Sequence, residues 1–558
     1  MKMNKIFGAL LVVASTQLSA AGITEFQIPY GAKLNNADID GNVTVNLNAT
    51  NTSSVVIKKD FYGADTHGFS KLPQSGLVTP LQLGYVKLGG NLHSVYNWEL
   101  DAYFDSHDNG IFYVYSSLER RLRLIQNNYK SEPMFQVNML GWQPDKNENG
   151  ELVMMNTANA AHAAKAISFI NGTKKIGLKN ILMGNEPFHS LEVHGKPIPS
   201  ADEYIAKYID YVLALRSAQE EVSGNPNDIK IWGPEIATGW TGWQTMHPAD
   251  CQEDYTLPEK FKCSYGNGRF TEFMPYFLYR ISAFENDKKL NPRGYKLIDY
   301  ISFHYYPLFR KDFSNSASII VDANGNQNVK GMLESVNLWD SANYVNKFDY
   351  ASPRGVAPKI VKKFQNWRNL YYPTAKLAVT EYGIDSVSEV SYHPIVRPLY
   401  LGDLMGRIAQ AGINTFVNSF LQSGANTNSW ALIDQSAEAD KKTRLYNVYS
   451  LFSNHFLGTV VPSNDSYGDS VNVYTVKNKM GVTVVLVNKD TKEHGSSVEL
   501  NGNNDNDKVE VANVKLPAWS VTVLKVPNTS DSNISVYQYG AKEMGIEVDL
   551  QNAFLRNR

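Results

Sequence analysis

Short apolar runs recur along the middle of this chain, and longer stretches of helical periodicity separate them. The runs are Phe61-Tyr62-Gly63-Ala64, Tyr85-Val86-Lys87-Leu88, Met134-Phe135-Gln136-Val137-Asn138, Ile181-Leu182-Met183, Ile229-Lys230-Ile231-Trp232, Tyr300-Ile301-Ser302-Phe303-His304, Leu377-Ala378-Val379-Thr380 and Thr415-Phe416-Val417-Asn418. Helical stretches such as Thr157 to Ile170, Ala201 to Ala218 and Leu399 to Ala411 lie between them. A strand covered on both faces reads as an unbroken apolar run, and strands alternating with helices build a parallel sheet. Eight such strands are the number that closes a barrel. The pattern therefore predicts an α/β fold, a (β/α)8 TIM barrel over residues 60–450.

Both ends of the chain change period. Ile23-Thr24-Glu25-Phe26-Gln27-Ile28 and Val43-Thr44-Val45-Asn46-Leu47 alternate apolar and polar residues, and Val55-Val56-Ile57 follows. Val471 to Val476, Val482 to Val487 and Ser520 to Val526 carry the same period-2 signal, with turn residues between them. Alternation of this kind marks antiparallel strands with one covered face. Residues 22–59 and 451–558 are therefore expected to form one antiparallel β-sandwich from both chain ends, with Ile534 to Leu550 adding a further strand.

Composition narrows the partners. Hydrophobic residues make up 43% of the 558, enough for a large core, and the formal net charge of −2 gives no field to attract nucleic acid or an anionic membrane. Residues 1–21 have the form of an export signal: Lys2 and Lys5, an apolar stretch from Ile6 to Ala14, then Ser19-Ala20-Ala21. That stretch is too short to span a bilayer, so the expectation is a secreted or periplasmic protein, monomeric by default. In an oxidising compartment, the two cysteines, Cys251 and Cys263, are expected to form a loop-closing disulfide.

The chemistry concentrates at strand ends. The fourth run leads into Gly184-Asn185-Glu186-Pro187, and the seventh ends in Thr380-Glu381-Tyr382-Gly383. In a parallel barrel the C-terminal strand ends carry the active site. Two carboxylates delivered there from separate strands supply what glycosidic bond cleavage needs, one to protonate the leaving oxygen and one to attack or to activate water. Asn91 and Trp98 follow the second run, Glu235 the fifth, and His304-Tyr305-Tyr306 end the sixth. Trp430, beyond the eighth, offers a ring for sugar stacking.

Asn-Glu-Pro after one strand and Thr-Glu-Tyr-Gly at the end of another resemble glycoside hydrolase clan A. Lys87-Leu88-Gly89-Gly90-Asn91 with Tyr96-Asn97-Trp98-Glu99 is similar to the strand-two segment of glycoside hydrolase family 44. Ile231-Trp232-Gly233-Pro234-Glu235 and His304-Tyr305-Tyr306-Pro307 are similar to that family's fifth and sixth segments. The resemblance implies a barrel joined to a sandwich, endo action on β-1,4-glucans and related hemicelluloses, and retention of anomeric configuration. It implies Glu186 as acid/base, Glu381 as nucleophile, Asn185 on the sugar 2-hydroxyl, and Tyr305 or Tyr306 steadying Glu381. The chain departs from the family's pattern at Lys87, where an Arg is usual, and at Gly184, where Asp is common. These departures admit another β-linked polysaccharide as substrate, including a galactan of the agar or carrageenan type, for which Arg310 and Lys311 could meet a sulfate. The rival reading is a carbohydrate-binding protein without catalysis. No cofactor is required by this chemistry. His189 and His194 lack close metal-ligand spacing, and turns such as Asn501 to Asp507 offer structural calcium oxygens without an EF-hand pattern.

Overall fold

A computed structural model describes residues 22–556 except 36–37, 48–54, 67, 70, 106–108, 188–198, 238–246, 255–260, 308–325, 342–343, 346–358, 385–391, 424–429, 436–439, 503–507 and 549–553. The export signal, His189, His194, Arg310, Lys311 and most of the Asn501 to Asp507 turn lie outside the described residues.

Each of the eight apolar runs becomes a strand: β1 (Tyr62–Asp65), β2 (Tyr85–Leu88), β3 (Glu132–Val137), β4 (Asn180–Met183), β5 (Lys230–Ala237), β6 (Tyr300–Tyr305), β7 (Lys376–Tyr382) and β8 (Thr415–Asn418). They pair in parallel, in chain order, and β8 returns to β1 to close the barrel. The crossovers after β2 to β8 carry α1 (Leu118–Asn127), α2 (Ala160–Ile167), α3 (Ala201–Ser223), α4 (Phe273–Asn286), α5 (Ile360–Tyr371), α6 (Val396–Gln410) and α7 (Arg444–His455). Among the described residues the first crossover has the short helical turns Ser75–Val78 and Thr79–Leu81.

Helix α3 shows how local sequence fixes these boundaries. Ser200 accepts from the Glu203 amide while the Glu203 carboxylate accepts from the Ser200 amide, a reciprocal cap. Gly224, at φ 78°, ends the helix in the left-handed region that a side chain disfavours.

Inside the barrel the filling changes along the axis. Tyr85, Met134, Leu182, Trp232, Tyr300, Ala378 and Val417 form an apolar plug, with the Trp232 and Tyr300 rings stacked at 3.6 Å. Two to four residues further along the same strands stand Lys87, Gln136, His304 and Thr380, all buried. The plug excludes water from one side of this polar layer, so its charges must neutralise one another.

The sandwich draws on both chain ends. Its seven-stranded sheet runs Thr24–Ile28, Ile534–Gly540, Ser520–Pro527, Gly481–Asn488, Val471–Asn478, Gly458–Val460 and Val56–Ile57. Its second sheet contains Ser463–Asp465, Gly41–Asn46, His494–Asn501 and Lys508–Leu516. Valines dominate the core between them. One pairing departs from the antiparallel expectation: Gly41–Asn46 lies parallel to His494–Asn501, because the two strands come from opposite ends of the chain and no hairpin constrains them. Asp403 of α6, fully buried, ties barrel to sandwich through Lys489 at 2.9 Å, Asn472 at 2.6 Å and the Tyr474 hydroxyl.

Candidate active site

Glu186 and Glu381 meet at the C-terminal end of the barrel. One oxygen of each carboxylate and one nitrogen of His304 all lie within 4.8 Å of one another. Both carboxylates keep an opening to solvent, with side chains 14% and 17% exposed, whereas His304, Lys87 and Glu235 beneath them have none.

The backbone bends to aim these groups. Gly184 has φ 76°, a conformation open to glycine at little cost. Glu186 and Glu235 also have positive φ, 38° and 55°, which a side chain adopts only under constraint. A backbone hydrogen bond from the Glu186 amide to the Glu235 carbonyl, 3.0 Å, supplies part of that constraint. Two register shifts add to it. On β5, Pro234 and Ile236 face consecutive residues of β6, leaving Glu235 as the extra residue. On β7, Val379 and Glu381 face Phe303 and His304, leaving Thr380 as the extra residue. Such bulges re-aim side chains that strict alternation would send elsewhere. Glu235 and Thr380 thus face each other, the Thr380 hydroxyl donating to Glu235 Oε1 at 3.0 Å.

Lys87 Nζ lies 3.2 Å from Asp65, 3.3 Å from Glu235 and 3.9 Å from Glu381. His304 sits opposite, with Nδ1 2.8 Å from Glu186 Oε1 and 3.5 Å from Glu381 Oε2, and Nε2 3.2 Å from Glu235 Oε2. Four carboxylates therefore surround two cations. Burial alone would strip the proton from His304. The charge of Glu381 and the hydrogen bonds to Glu186 and Glu235 outweigh it and raise the imidazole to about 10. Burial pushes Glu235 up, but Lys87 and His304 overcome it and hold that carboxyl at about 2. Lys87 remains charged because Asp65, Glu235 and Glu381 oppose its desolvation. Glu381 is pushed up by burial and by the charge of Glu186, against the pull of His304, Lys87 and the Tyr306 hydroxyl, which donates to Glu381 Oε1.

By distance alone Glu186, His304 and Glu381 could surround a cation. In the structure both nitrogens of His304 already face carboxylates, Nδ1 toward Glu186 and Nε2 toward Glu235, and Lys87 places a cation beside Glu381.

The remaining expected site residues divide. Asn185 is buried beside Glu186 and donates to Asn91 Oδ1 at 3.2 Å, and its own carbonyl oxygen has no partner among the described residues. Of the two tyrosines, Tyr306 reaches Glu381, while Tyr305 points away and packs edge-on against Trp339 at 4.7 Å. Trp430 is not a stacking platform. It is 7% exposed, with Tyr382 and Tyr400 against its ring and Arg397 over it, so its faces are already used by the core. Trp98 donates to the His162 carbonyl, packs against Phe169, and lines a cavity of about 430 Å³ with Leu118, Lys165 and Phe169. It lines the flank between α1 and α2. Glu235 and His304 are fully buried, so they support the two exposed carboxylates and do not touch a sugar. Cys251 and Cys263 are disulfide-bonded across a short hairpin. Asp65 and Thr380 escaped the sequence reading; Asp65 follows an apolar run as the two glutamates do, whereas nothing in the sequence marks the bulge at Thr380.

The family model of glycoside hydrolase family 44 matches residues 121–308, the segment from α1 to just past β6. Among solved structures, the chain resembles CelM2, a bifunctional glucanase-xylanase from a metagenome library, at 17% identity and a TM-score of 0.61, covering 90% of this chain and 99% of that one. A Paenibacillus polymyxa xyloglucanase of family 44 matches at 13% identity and a TM-score of 0.59, with the same coverage. The Clostridium thermocellum family 44 endoglucanase Cel44A matches at 14% identity and a TM-score of 0.60, covering 89% and 99%. At these identities the structures show a shared fold. No curated protein sequence matches the chain.

Proposed function

We propose that this glycoside hydrolase, similar to family 44, is a secreted, retaining endo-β-glycosidase that cleaves a β-linked polysaccharide by double displacement. The observation that carries the reading is the approach of Glu186 and Glu381 to within 4.8 Å, oxygen to oxygen. Retaining enzymes hold their carboxyl groups about 5–5.5 Å apart, whereas inverting ones leave about 6.5–9.5 Å for a water.

In the first step a Glu381 oxygen bonds to the anomeric carbon, the glycosidic C–O bond breaks, and the Glu186 proton passes to the leaving oxygen. In the second, water adds to the anomeric carbon and gives a proton to Glu186, and the electron pair of the broken C–O bond returns to Glu381. Tyr306 orients the attacking carboxylate, and Asn185 Oδ1, unpartnered among the described residues, is available to a sugar hydroxyl.

Substrate choice follows the relatives, named for action on glucan, xylan and xyloglucan. Lys87, the residue that suggested a different sugar, is fully buried against carboxylates and bears on the reaction instead. A screen of purified protein against β-glucans, xyloglucan, mannans, agar and carrageenans tests substrate class, and proton NMR of the first-formed product tests mechanism. Cleavage of a β-glucan with the β-anomer formed first is expected. Cleavage with the α-anomer formed first refutes retention, cleavage of agar or carrageenan alone refutes the substrate class, and no cleavage of any favours a binding role.

A further inference from the structure

The mechanism uses Glu186, Glu381 and Tyr306, yet three other ionisable groups of the site, Glu235, Lys87 and His304, have no exposure at all. Burying an anion beneath a catalytic pair has a cost that packing alone does not explain, since an apolar side chain in the same space avoids it. The geometry shows what the anion touches: Lys87 on one side at 3.3 Å, the Thr380 hydroxyl at 3.0 Å, and His304 Nε2 at 3.2 Å. His304 in turn directs its other nitrogen at Glu186, 2.8 Å away, with Glu381 at 3.5 Å.

Double displacement moves charge between those two carboxylates. Before attack, that mechanism needs Glu381 as the anion and the proton on Glu186. In the glycosyl-enzyme Glu381 is an ester and Glu186 is the anion. A single N–H group within reach of both can follow the charge, on condition that the ring stays protonated and fixed.

We propose that Glu235, paired with Lys87, is a positioning residue that holds His304 as an imidazolium, so that its Nδ1–H faces the negative charge on Glu381 and then on Glu186 through both steps. The proposal rests on the double-displacement reading above. His304 is faced by Glu186 from the loop after β4, Glu235 from β5, Glu381 from β7 and, more distantly, Lys87 from β2. Three of these four favour the charged ring.

Glu235→Gln keeps the shape and an acceptor for Nε2–H but removes the anion. Imidazole 15N NMR of histidine-labelled protein, with His304 assigned by its loss in His304→Gln, reads the ring directly. At pH 8 the wild-type ring is expected to be protonated at both nitrogens and the Glu235→Gln ring to be neutral. In kinetics on 2,4-dinitrophenyl β-cellobioside, Glu235→Gln is expected to lose at least tenfold in kcat at pH 8 and to regain most of it near pH 5, as the ring recovers its proton. A merely structural role gives a loss equal at all pH values. A neutral wild-type ring at pH 8, or a pH-independent loss, overturns the proposal. The underlying reading is tested separately by Glu381→Ala. If that variant retains wild-type turnover the double-displacement assignment fails, whatever the state of His304.

Discussion

Tyr306→Phe removes one hydroxyl and leaves the ring in place. In the wild type that hydroxyl donates to Glu381 Oε1, while Oε2 looks toward His304 at 3.5 Å and Lys87 at 3.9 Å. The hydroxyl is thus the most direct of three groups opposing the upward push that burial and Glu186 exert on the Glu381 carboxyl. A hydrogen bond to a charged group contributes about 1.5–3 kcal/mol, and one pKa unit corresponds to about 1.36 kcal/mol, so its loss raises Glu381 by roughly one to two units. His304 and Lys87 remain close enough to compensate in part, which favours the lower end. Glu381 attacks as the carboxylate, so a higher pKa means that activity is lost from a higher pH as acid is added. The assay is the pH dependence of kcat/KM on 2,4-dinitrophenyl β-cellobioside. Its acid limb is expected to move up by about one unit, with a smaller loss on the plateau above it. An acid limb that stays in place, or moves down, refutes the claim that Tyr306 keeps the nucleophile ionised.

Other perturbations separate structural from catalytic roles. Trp430→Ala is expected to cost about 3–5 kcal/mol in urea unfolding with KM unchanged, because the ring fills core and does not face sugar. Asp403→Asn leaves Lys489 without its buried counter-ion at the barrel–sandwich contact, while Arg407 keeps Asp340 at 2.9 Å, and about 3–5 kcal/mol is expected to be lost at pH 7. Burial opposes the Asp403 charge, but Lys489 and Arg407 hold its carboxyl below the usual range; the wild-type advantage is therefore present at neutral pH and disappears as pH falls through that lowered pKa. Glu381 has the opposite sign. Its raised pKa makes ionisation at neutral pH destabilising, so Glu381→Gln is expected to be inactive yet no less stable at pH 7, with any gain vanishing below about pH 4, where the wild type is also protonated. Reducing the Cys251–Cys263 bond, with its 12-residue separation, is expected to cost at most about 3 kcal/mol in thermal unfolding.

Periodicity carried most of the fold. Strands such as Ile181 to Met183 and Leu377 to Thr380 are covered on both faces, so their apolar runs could not be mistaken for surface structure. Glu186 and Glu381 were legible for the same reason, each being a charge placed within three residues of the end of such a run. The layer beneath them was legible only in part: Glu235 and His304 stood out as polar groups at strand ends, but their contacts did not. Glu235 and Thr380 enter the barrel through bulges, which break the two-residue alternation on which a sequence reading depends. Lys87 sits within an apolar run and signals only a substitution in a pattern, because its three carboxylate partners are distant in sequence. Trp430 misled in the opposite direction: an aromatic in a polar stretch suggests a platform, and only the packing of Tyr382 and Tyr400 shows that it is core.

The assignment of attack to Glu381 is most directly tested by Glu381→Gly supplied with sodium azide. On 2,4-dinitrophenyl β-cellobioside the variant is expected to be inactive alone and to regain turnover with azide, giving the α-glycosyl azide because the small anion attacks from the face that Glu381 has vacated. A β-glycosyl azide, or wild-type activity without azide, contradicts the account.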